Sequence, residues 1–171
     1  MKLESAFFDR DVLAVASELV GKLLVRKFDD GSVIKLRIKE TEAYRGEEDK
    51  ACHASKGKTP RTEVMYSHPG SIYIYLIYGM YWMLNIVTEK ENIPQAVLLR
   101  AAGEYDGPGK LTKALKITKE FNNFNISNCP QIWIEDDGYI HRIKTLPRVG
   151  IDYAGQEWAS KQWRFVDKNK N

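Results

Sequence analysis

Two carboxylates and a tyrosine follow an apolar run in one predicted strand, residues 33–44. In extended spacing every second residue shares one face, which here carries Ile34, Leu36, Ile38, Glu40, Glu42 and Tyr44. Buried carboxylates cost free energy unless they meet partners. The pair therefore either borders a cavity or faces water where the strand leaves the core. A carboxylate beside a cavity can act as the general base of a hydrolysis.

A second unusual feature is the apolar and aromatic segment 71–87, which has Gly79 in its middle and Asn85 near its end. Period-two spacing predicts two strands around a Tyr78-Gly79 turn, because glycine reaches positive φ without steric cost. Turns are usually polar, but this one carries Tyr78, Met80 and Tyr81. The tip is therefore either covered by another part of the fold or exposed as a wedge that enters a stacked duplex.

Arg100 follows two leucines at the end of a predicted buried strand, residues 95–101. A buried guanidinium needs an anion, which a carboxylate such as Glu42 or a substrate phosphate could supply. The sequence pattern alone leaves both partners open.

The segment 45–62 has no apolar periodicity, and long irregular segments in compact domains are usually functional or disordered. Its basic end, with Lys58 and Arg61, suits phosphates but is equally typical of a solvated loop. His53 is either a hydrogen-bonding group for a base edge or a surface histidine. Cys52 and His53 do not predict a metal site, because the chain has no second pair with metal-ligand spacing.

The composition of the 171 residues indicates one soluble domain spanning 1–171, with 43% apolar residues, 29% charged residues and a net charge of +3. This charge permits an anionic partner without requiring one. Two cysteines, Cys52 and Cys129, are too few for a disulfide framework. The N-terminus lacks a signal-peptide pattern, and segment 71–87 is short for a membrane span. We therefore expect a cytoplasmic protein that is not secreted and has no membrane segment.

Strands that are joined mostly by hairpins favour an α+β fold over a doubly wound sheet. Apolar spacing predicts helices over residues 9–20 and 107–121. Residues 131–135 and 139–143 are predicted to pair as a hairpin, and residues 167–171 are predicted to form a disordered tail.

One chemistry uses all of these parts, namely hydrolysis of the N-glycosidic bond of a nucleotide that has been flipped out of a duplex. The wedge would replace the departed base, and aromatic rings would enclose the flipped base. A carboxylate would take a proton from the attacking water, while cations hold the flanking phosphates. The sequence carries no serine or cysteine triad, zinc signature or dinucleotide fingerprint.

The order and identity of the motifs resemble the alkyladenine (3-methyladenine) DNA glycosylase family from about Asp9 to Phe165. The matching motifs in the first half are Glu40-Thr41-Glu42-Ala43-Tyr44, Glu48-Asp49-Lys50-Ala51-Cys52-His53, Lys58-Thr59-Pro60-Arg61 and Pro69-Gly70. Those further along are Tyr73-Ile74-Tyr75, Ile77-Tyr78-Gly79-Met80-Tyr81, Asn85, Val97-Leu98-Leu99-Arg100-Ala101, Gly107-Pro108-Gly109-Lys110-Leu111 and Arg148-Val149-Gly150.

The resemblance implies a role for each matching residue. Glu42 would activate the water, and Arg100 and the backbone carbonyl of Val149 would help to hold it. The base pocket would be formed by Tyr44, His53, Tyr75 and Asn85, with the asparagine disfavouring guanine through a clash with its exocyclic amine. Tyr78 would intercalate through the minor groove beside Met80. The DNA backbone contacts would be made by Thr59, Arg61, Tyr81 and Lys110.

The resemblance also implies a fold and a set of partners. We expect a single compact domain with a curved, mostly antiparallel sheet, flanking helices and a protruding β-hairpin. The expected partner is double-stranded DNA that contains damaged purines, with the protein acting as a monomer and with no metal or cofactor. The released bases would be 3-methyladenine and 7-methylguanine, and hypoxanthine is a further candidate.

The segment Ala101–Asp106 is shorter than the loop and helix that members of this family commonly carry. The difference bears on DNA affinity and substrate breadth more than on the reaction. Two alternatives stay open: a nucleic-acid-binding module without catalysis, and a protein that binds another protein through its aromatic tip.

Overall fold

Residues 1–170 fold into an antiparallel sheet with four short α-helices. The structure, a computed structural model, describes residues 1–170. Within that range the α-helices are α1 (Ser5–Phe8), α2 (Val12–Leu19), α3 (Pro108–Ala114) and α4 (Gln156–Ala159), and the other helical segments are single 3-10 turns. The strands are β1 (Leu23–Lys27), β2 (Val33–Tyr44), β3 (Ile72–Ile77), β4 (Tyr81–Thr88), β5 (Gln95–Ala102), β6 (Tyr105–Asp106), β7 (Ile132–Glu135), β8 (Ile143–Leu146) and β9 (Arg164–Asp167).

The strands form one curled sheet in the order β3-β4-β5-β2-β1-β7, with β6 beside β5 and the β8–β9 pair beside β2. Every pairing is antiparallel. This arrangement confirms the predicted α+β fold. No helix among residues 1–170 has the length and apolar character needed to cross a membrane.

The helix α2 packs on the sheet as its sequence predicts. The side chain of Asp11 accepts a hydrogen bond from the backbone N–H of Leu13 and caps the first turn. The apolar stripe of the helix is fully buried against β2, where the hydroxyl of Thr41 donates to the carbonyl of Ala16 at 2.8 Å. The helix therefore fixes the middle of β2, from which the site residues project.

The strand β2 changes the face that it presents to the core, which makes the predicted register wrong. The pairing with β5 shifts between Ile38 and Glu40 and shifts again between Glu40 and Thr41. Ile38 belongs to the core before these irregularities, and Thr41 and Ala43 face the core after them. A β-bulge reverses side-chain alternation in this way. Glu40 and Glu42 therefore lie on the face opposite to Ile38, not on the same face.

The predicted hairpin is present as β3 and β4, joined through Tyr78 and Gly79. Both residues have positive φ, 53° and 66°, and the N–H of Met80 donates to the carbonyl of Ile77 at 3.1 Å. The tip is exposed, with 84% of Tyr78 accessible to solvent. No other part of residues 1–170 covers it, so the interpretation of a buried tip is wrong.

Three further predictions differ from the structure. The helix predicted over 107–121 ends at Ala114, because Lys116 takes positive φ and turns the chain so that Ile117 is buried. Residues 139–143 do not pair with β7, whose partner is β1, and Asp137 instead holds Arg37 at 2.7 Å. The predicted tail is ordered from 167 to 170, since Asp167 ends β9 and is buried. Asn171 lies outside the described residues.

Candidate active site

A cavity of about 660 Å³ opens between the β3–β4 hairpin, the end of β2, the N-terminus of α3 and the loop that follows β8. Its volume falls within the usual range for sites that hold one small molecule, about 300–1,000 Å³. Besides Val149, the residues that line it include the polar and aromatic residues Tyr44, His53, Arg61, Tyr73, Tyr75, Tyr78, Tyr81, Asn85, Arg100, Lys110 and Tyr153. Ten of these twelve belong to the predicted site. The cavity therefore gathers residues from distant parts of the chain.

The carboxylate of Glu42 is fully buried and accepts three hydrogen bonds. The backbone N–H of Val149 donates to Oε2 at 2.7 Å, while Arg100 Nη1 and the hydroxyl of Tyr44 donate to Oε1 at 3.2 and 3.3 Å. The three donors line the cavity whereas Glu42 does not, so the carboxylate lies directly behind the wall that they form. A carboxylate offers about four acceptor positions. One acceptor position therefore has no donor among residues 1–170.

Burial raises the pKa of Glu42, because the ionised carboxylate loses its hydration. The positive charge of Arg100 and the hydrogen bond from Val149 act in the opposite direction and favour the ionised form. The outcome is a carboxylate that is more basic than an exposed glutamate. A raised pKa suits a group that must take a proton near neutral pH.

The guanidinium of Arg100 bridges the two glutamates of β2. Its Nε donates to Oε1 of Glu40 at 3.1 Å, and Glu40 also pairs with Arg164 at 3.2 Å and with Lys170. Burial opposes ionisation of Glu40, but these cations, Lys170 above all, outweigh it and lower the pKa of Glu40. Glu40 is 4% exposed and Glu42 is 0% exposed, so the interpretation that they face water is wrong. Glu40 therefore fixes Arg100 by a contact on the side that faces away from the cavity.

Aromatic rings form one wall of the cavity. His53 packs edge-on against Tyr75 with ring centroids 4.4 Å apart, and its Nδ1 lies 3.0 Å from the hydroxyl of Tyr73. Burial lowers the pKa of His53 to about 4, and the nearby charge of Arg61 adds to this shift. The imidazole is therefore neutral at physiological pH, and its contact with Tyr73 fixes its orientation.

Asn85 lies at the buried end of the cavity on β4, opposite Tyr73 of β3. Its Nδ2 donates to the carbonyls of Tyr73 and Met83 at 3.2 and 3.3 Å. Two backbone acceptors thus fix the orientation of the amide.

The predicted DNA-contacting residues lie around the cavity mouth and on the hairpin tip. Tyr78, Tyr81, Arg61 and Lys110 line the mouth, while Met80 and Thr59 lie outside it and are exposed. The guanidinium carbon of Arg61 is 5.8 Å from the ring centroid of Tyr75. Their contacts with DNA stay a prediction.

Several residues of the site escaped the sequence analysis. Tyr73 shares the strand face of Tyr75, so its period-two spacing could have identified it. Tyr153 is 72% exposed, lines the mouth and donates from its hydroxyl to the carbonyl of Ala51 at 3.0 Å. Nothing in its sequence context signals this. The buried pair of Asp49 and Arg148, which lies behind Tyr44, was likewise given no role.

The cavity can hold a flat aromatic molecule against its tyrosine rings, and the carboxylate of Glu42 lies directly behind its wall. Among residues 1–170 no three His, Cys, Asp or Glu side chains are grouped as metal ligands. The groups that surround Glu42 are hydrogen-bond donors and aromatic rings.

Comparisons with known proteins give matches over most of the chain. A family model described as methylpurine-DNA glycosylase (MPG) matches residues 6–106 and 102–171. A protein of Methanocella arvoryzae is 46% identical over 95% of this chain and 90% of its own length. A protein of Legionella pneumophila (strain Corby) is 45% identical over 98% of this chain and 95% of its own length. Both carry the provisional name 3-methyladenine DNA glycosylase.

Proposed function

Because this chain belongs to the methylpurine-DNA glycosylase family, we propose that it is a DNA repair glycosylase that hydrolyses the N-glycosidic bond of a flipped, alkylated purine. The proposed substrates are 3-methyladenine and 7-methylguanine in duplex DNA, with hypoxanthine as a further candidate. The products are the free base and an abasic site.

The observation that carries the proposal is the environment of Glu42. Its carboxylate lies behind a cavity wall made of Tyr44, Arg100 and Val149, and one of its acceptor positions has no protein donor among residues 1–170. In this proposal the attacking water reaches that position from the cavity and lies between Glu42 and the flipped nucleotide. Glu42 takes a proton from this water as its oxygen attacks C1′ of the flipped nucleotide.

The bonding electron pair of the glycosidic bond leaves with the base. A purine that is alkylated at N3 or N7 carries a positive charge, so it accepts this pair and departs as a neutral molecule without a general acid. Stacking against Tyr75 and Tyr44 favours such a cation by about 0.5–2 kcal/mol. The neutral state of His53 fits this role, since a second cation in the pocket would repel the base.

The exposed hairpin tip supports the proposed flipping step. Tyr78 projects from the molecule at the mouth of the cavity, where it can fill the space that the flipped nucleotide leaves in the duplex. The basic residues Arg61 and Lys110 flank the same mouth and are placed to contact phosphates. We propose duplex DNA as the partner on this basis.

The decisive experiment compares base release and DNA binding by Glu42→Gln. We expect the variant to lose release of 3-methyladenine and 7-methylguanine by more than 100-fold, the lower end of what a positioned general base contributes, roughly 10²–10⁴-fold. Affinity for the same duplexes should stay within about threefold, because Glu42 lies behind the cavity wall. Equal release by both proteins would refute the role of Glu42, and no release by the unmodified protein would favour a binding module.

A further inference from the structure

Asp49 and Arg148 form an ion pair that has no exposed side-chain surface. Arg148 Nη1 and Nη2 donate to the two oxygens of Asp49 at 2.6 and 2.9 Å, and Nη1 also donates to the carbonyl of Ala43 at 3.0 Å. The backbone N–H groups of Arg45 and Ala51 each donate to Asp49 at 3.0 Å. The pair thus ties the end of β2 to the two loops that follow β2 and β8.

The guanidinium of Arg148 lies between two aromatic rings. Its central carbon is 4.9 Å from the ring centroid of Tyr44 and 5.0 Å from that of Trp163. Tyr44 lines the cavity whereas Arg148 does not. The guanidinium therefore covers the side of the Tyr44 ring that faces away from the cavity.

A fixed positive charge thus lies behind a ring against which the flipped base is proposed to stack. An arginine side chain keeps its proton in proteins. A positively charged purine on the cavity side of Tyr44 would be about 8 Å from it, close enough for repulsion in a poorly hydrated site. Asp49 holds the compensating negative charge in direct contact with Arg148.

The other stacking wall differs in this respect. Arg61 lies near Tyr75, but its side chain is exposed, so solvent and salt screen its charge and the side chain can move. The charge of Arg148 is not screened in this way and its side chain cannot move, because it is buried and held by four groups. Of the two stacking walls, only Tyr44 therefore has a buried cation behind it that needs a fixed carboxylate.

We infer that Asp49 is a specificity-determining positioning residue, which neutralises Arg148 so that the Tyr44 wall accepts positively charged purines. This inference rests on the proposed function. The same pair also fixes the residue that follows Arg148, since the N–H of Val149 donates to Glu42. Loss of the pair should therefore affect both the rate and the preference between charged and neutral bases, and the two effects are separable.

The test measures the preference for a cationic base over a neutral base, namely the affinity for a duplex with 7-methylguanine relative to one with hypoxanthine. Affinities are measured in a Glu42→Gln background, so that both lesions give a value whether or not the enzyme releases them. A ratio taken on one preparation is insensitive to the fraction that is folded. We expect Asp49→Asn to lower the preference about tenfold, which corresponds to about 1.4 kcal/mol.

Substitutions that remove charges of opposite sign distinguish an electrostatic role of the pair from a structural one. Arg148→Gln removes the positive charge and should raise the preference for the cationic base. The double change Asp49→Asn/Arg148→Gln should restore the preference to within about threefold of the parent. A purely structural role would move both single variants in the same direction. Glu48→Gln makes the same charge change on a side chain that is 63% exposed, and it should leave the preference unchanged.

The outcomes distinguish this inference from the proposed function. Preferences that stay within twofold in both single variants, or that shift in the same direction, would overturn the role of Asp49 while base release by the unmodified protein still stands. Where Asp49→Asn does not fold, the comparison of Arg148→Gln with the double variant carries the same information. The double variant must then show a lower preference for the cationic base than Arg148→Gln does. An equal preference in these two variants would overturn the inference.

Discussion

The backbone N–H of Val149 donates a 2.7 Å hydrogen bond to Oε2 of Glu42, although the two residues are separated by 107 positions in sequence. The resemblance implied a role for the carbonyl of Val149 as a holder of water, which stays a prediction. The N–H contact adds that this loop orients the carboxylate itself. Together with Arg100 and Tyr44 on Oε1, it leaves Glu42 little freedom to rotate. A fixed carboxylate keeps its free acceptor position aimed at one place.

The first prediction concerns the acid limb of the pH–rate profile for release of 7-methylguanine. Burial raises the pKa of Glu42, so the basic form is lost at a higher pH than for an exposed glutamate. Since Arg100 favours the ionised form, Arg100→Gln should move the acid limb to still higher pH. The measurement is single-turnover release between pH 4.5 and 8.5, with Arg37→Gln, which changes a surface ion pair, as the control. A limb that does not move in Arg100→Gln would contradict the assignment.

The second prediction concerns stability and His53. Burial lowers the pKa of His53 to about 4, below the ordinary value of 6.5 that the unfolded chain has. Between these values the unfolded state binds more protons, so the free energy of unfolding falls as pH decreases from 6.5 to 4. The loss amounts to about 3 kcal/mol at pH 4. Urea unfolding should be measured for the protein and for His53→Gln. The free energy of unfolding of the protein minus that of the variant should be lower at pH 4 than at pH 7 by this amount.

The elements that depend on local chemistry were predictable from the sequence. The apolar stripe of α2 and the Tyr78-Gly79 turn each follow from residues that are neighbours in the chain. The face of β2 was not predictable. Its alternation reverses at a bulge between Ile38 and Thr41, where the strand also changes partners in the sheet. A bulge of this kind depends on strands that are distant in sequence.

The same distinction applies to the candidate site. Motifs identified residues whose types carry chemistry, such as Glu42 and Tyr75. The fold brings Tyr75 to the cavity and places Glu42 directly behind the cavity wall. Residues that support them were missed, because their function arises only from contacts. Arg148 is informative only once it is seen between two aromatic rings and against Asp49.

The third prediction separates the hairpin tip from the core. Tyr78→Asn should leave the free energy of unfolding within about 0.5 kcal/mol, because the side chain is exposed and asparagine tolerates the positive φ of 53° at this position. Release from duplex DNA should fall by roughly tenfold or more, since stacking of one aromatic ring on a base contributes about 1–3 kcal/mol. Release from single-stranded DNA should change little. A large loss of stability, or equal loss on both substrates, would contradict the wedge role.

The last prediction concerns the contact between the hairpin and α3. A Cβ atom placed on Gly109 would lie 2.8 Å from Cδ1 and 3.2 Å from Cβ of Tyr81. These atoms include the base of the tyrosine side chain, so the hairpin backbone must move to admit a methyl group. Overpacking of this kind costs about 1–3 kcal/mol, which exceeds the gain of about 0.5–1 kcal/mol that alanine brings to a helix. Gly109→Ala should therefore lower the free energy of unfolding.

The double variant tests whether Tyr81 is the cause. In a Tyr81→Ala background the added methyl group no longer meets the ring, so Gly109→Ala should be neutral or stabilising there, because only the helix preference remains. Urea unfolding of the four proteins gives the coupling free energy between the two positions, which we expect to be at least about 1 kcal/mol. The same series assayed for base release should show that Gly109→Ala is less active on duplex DNA, since the substitution displaces the β3–β4 hairpin that carries Tyr78. Additive effects on stability would show that the hairpin does not rest on α3 through this contact.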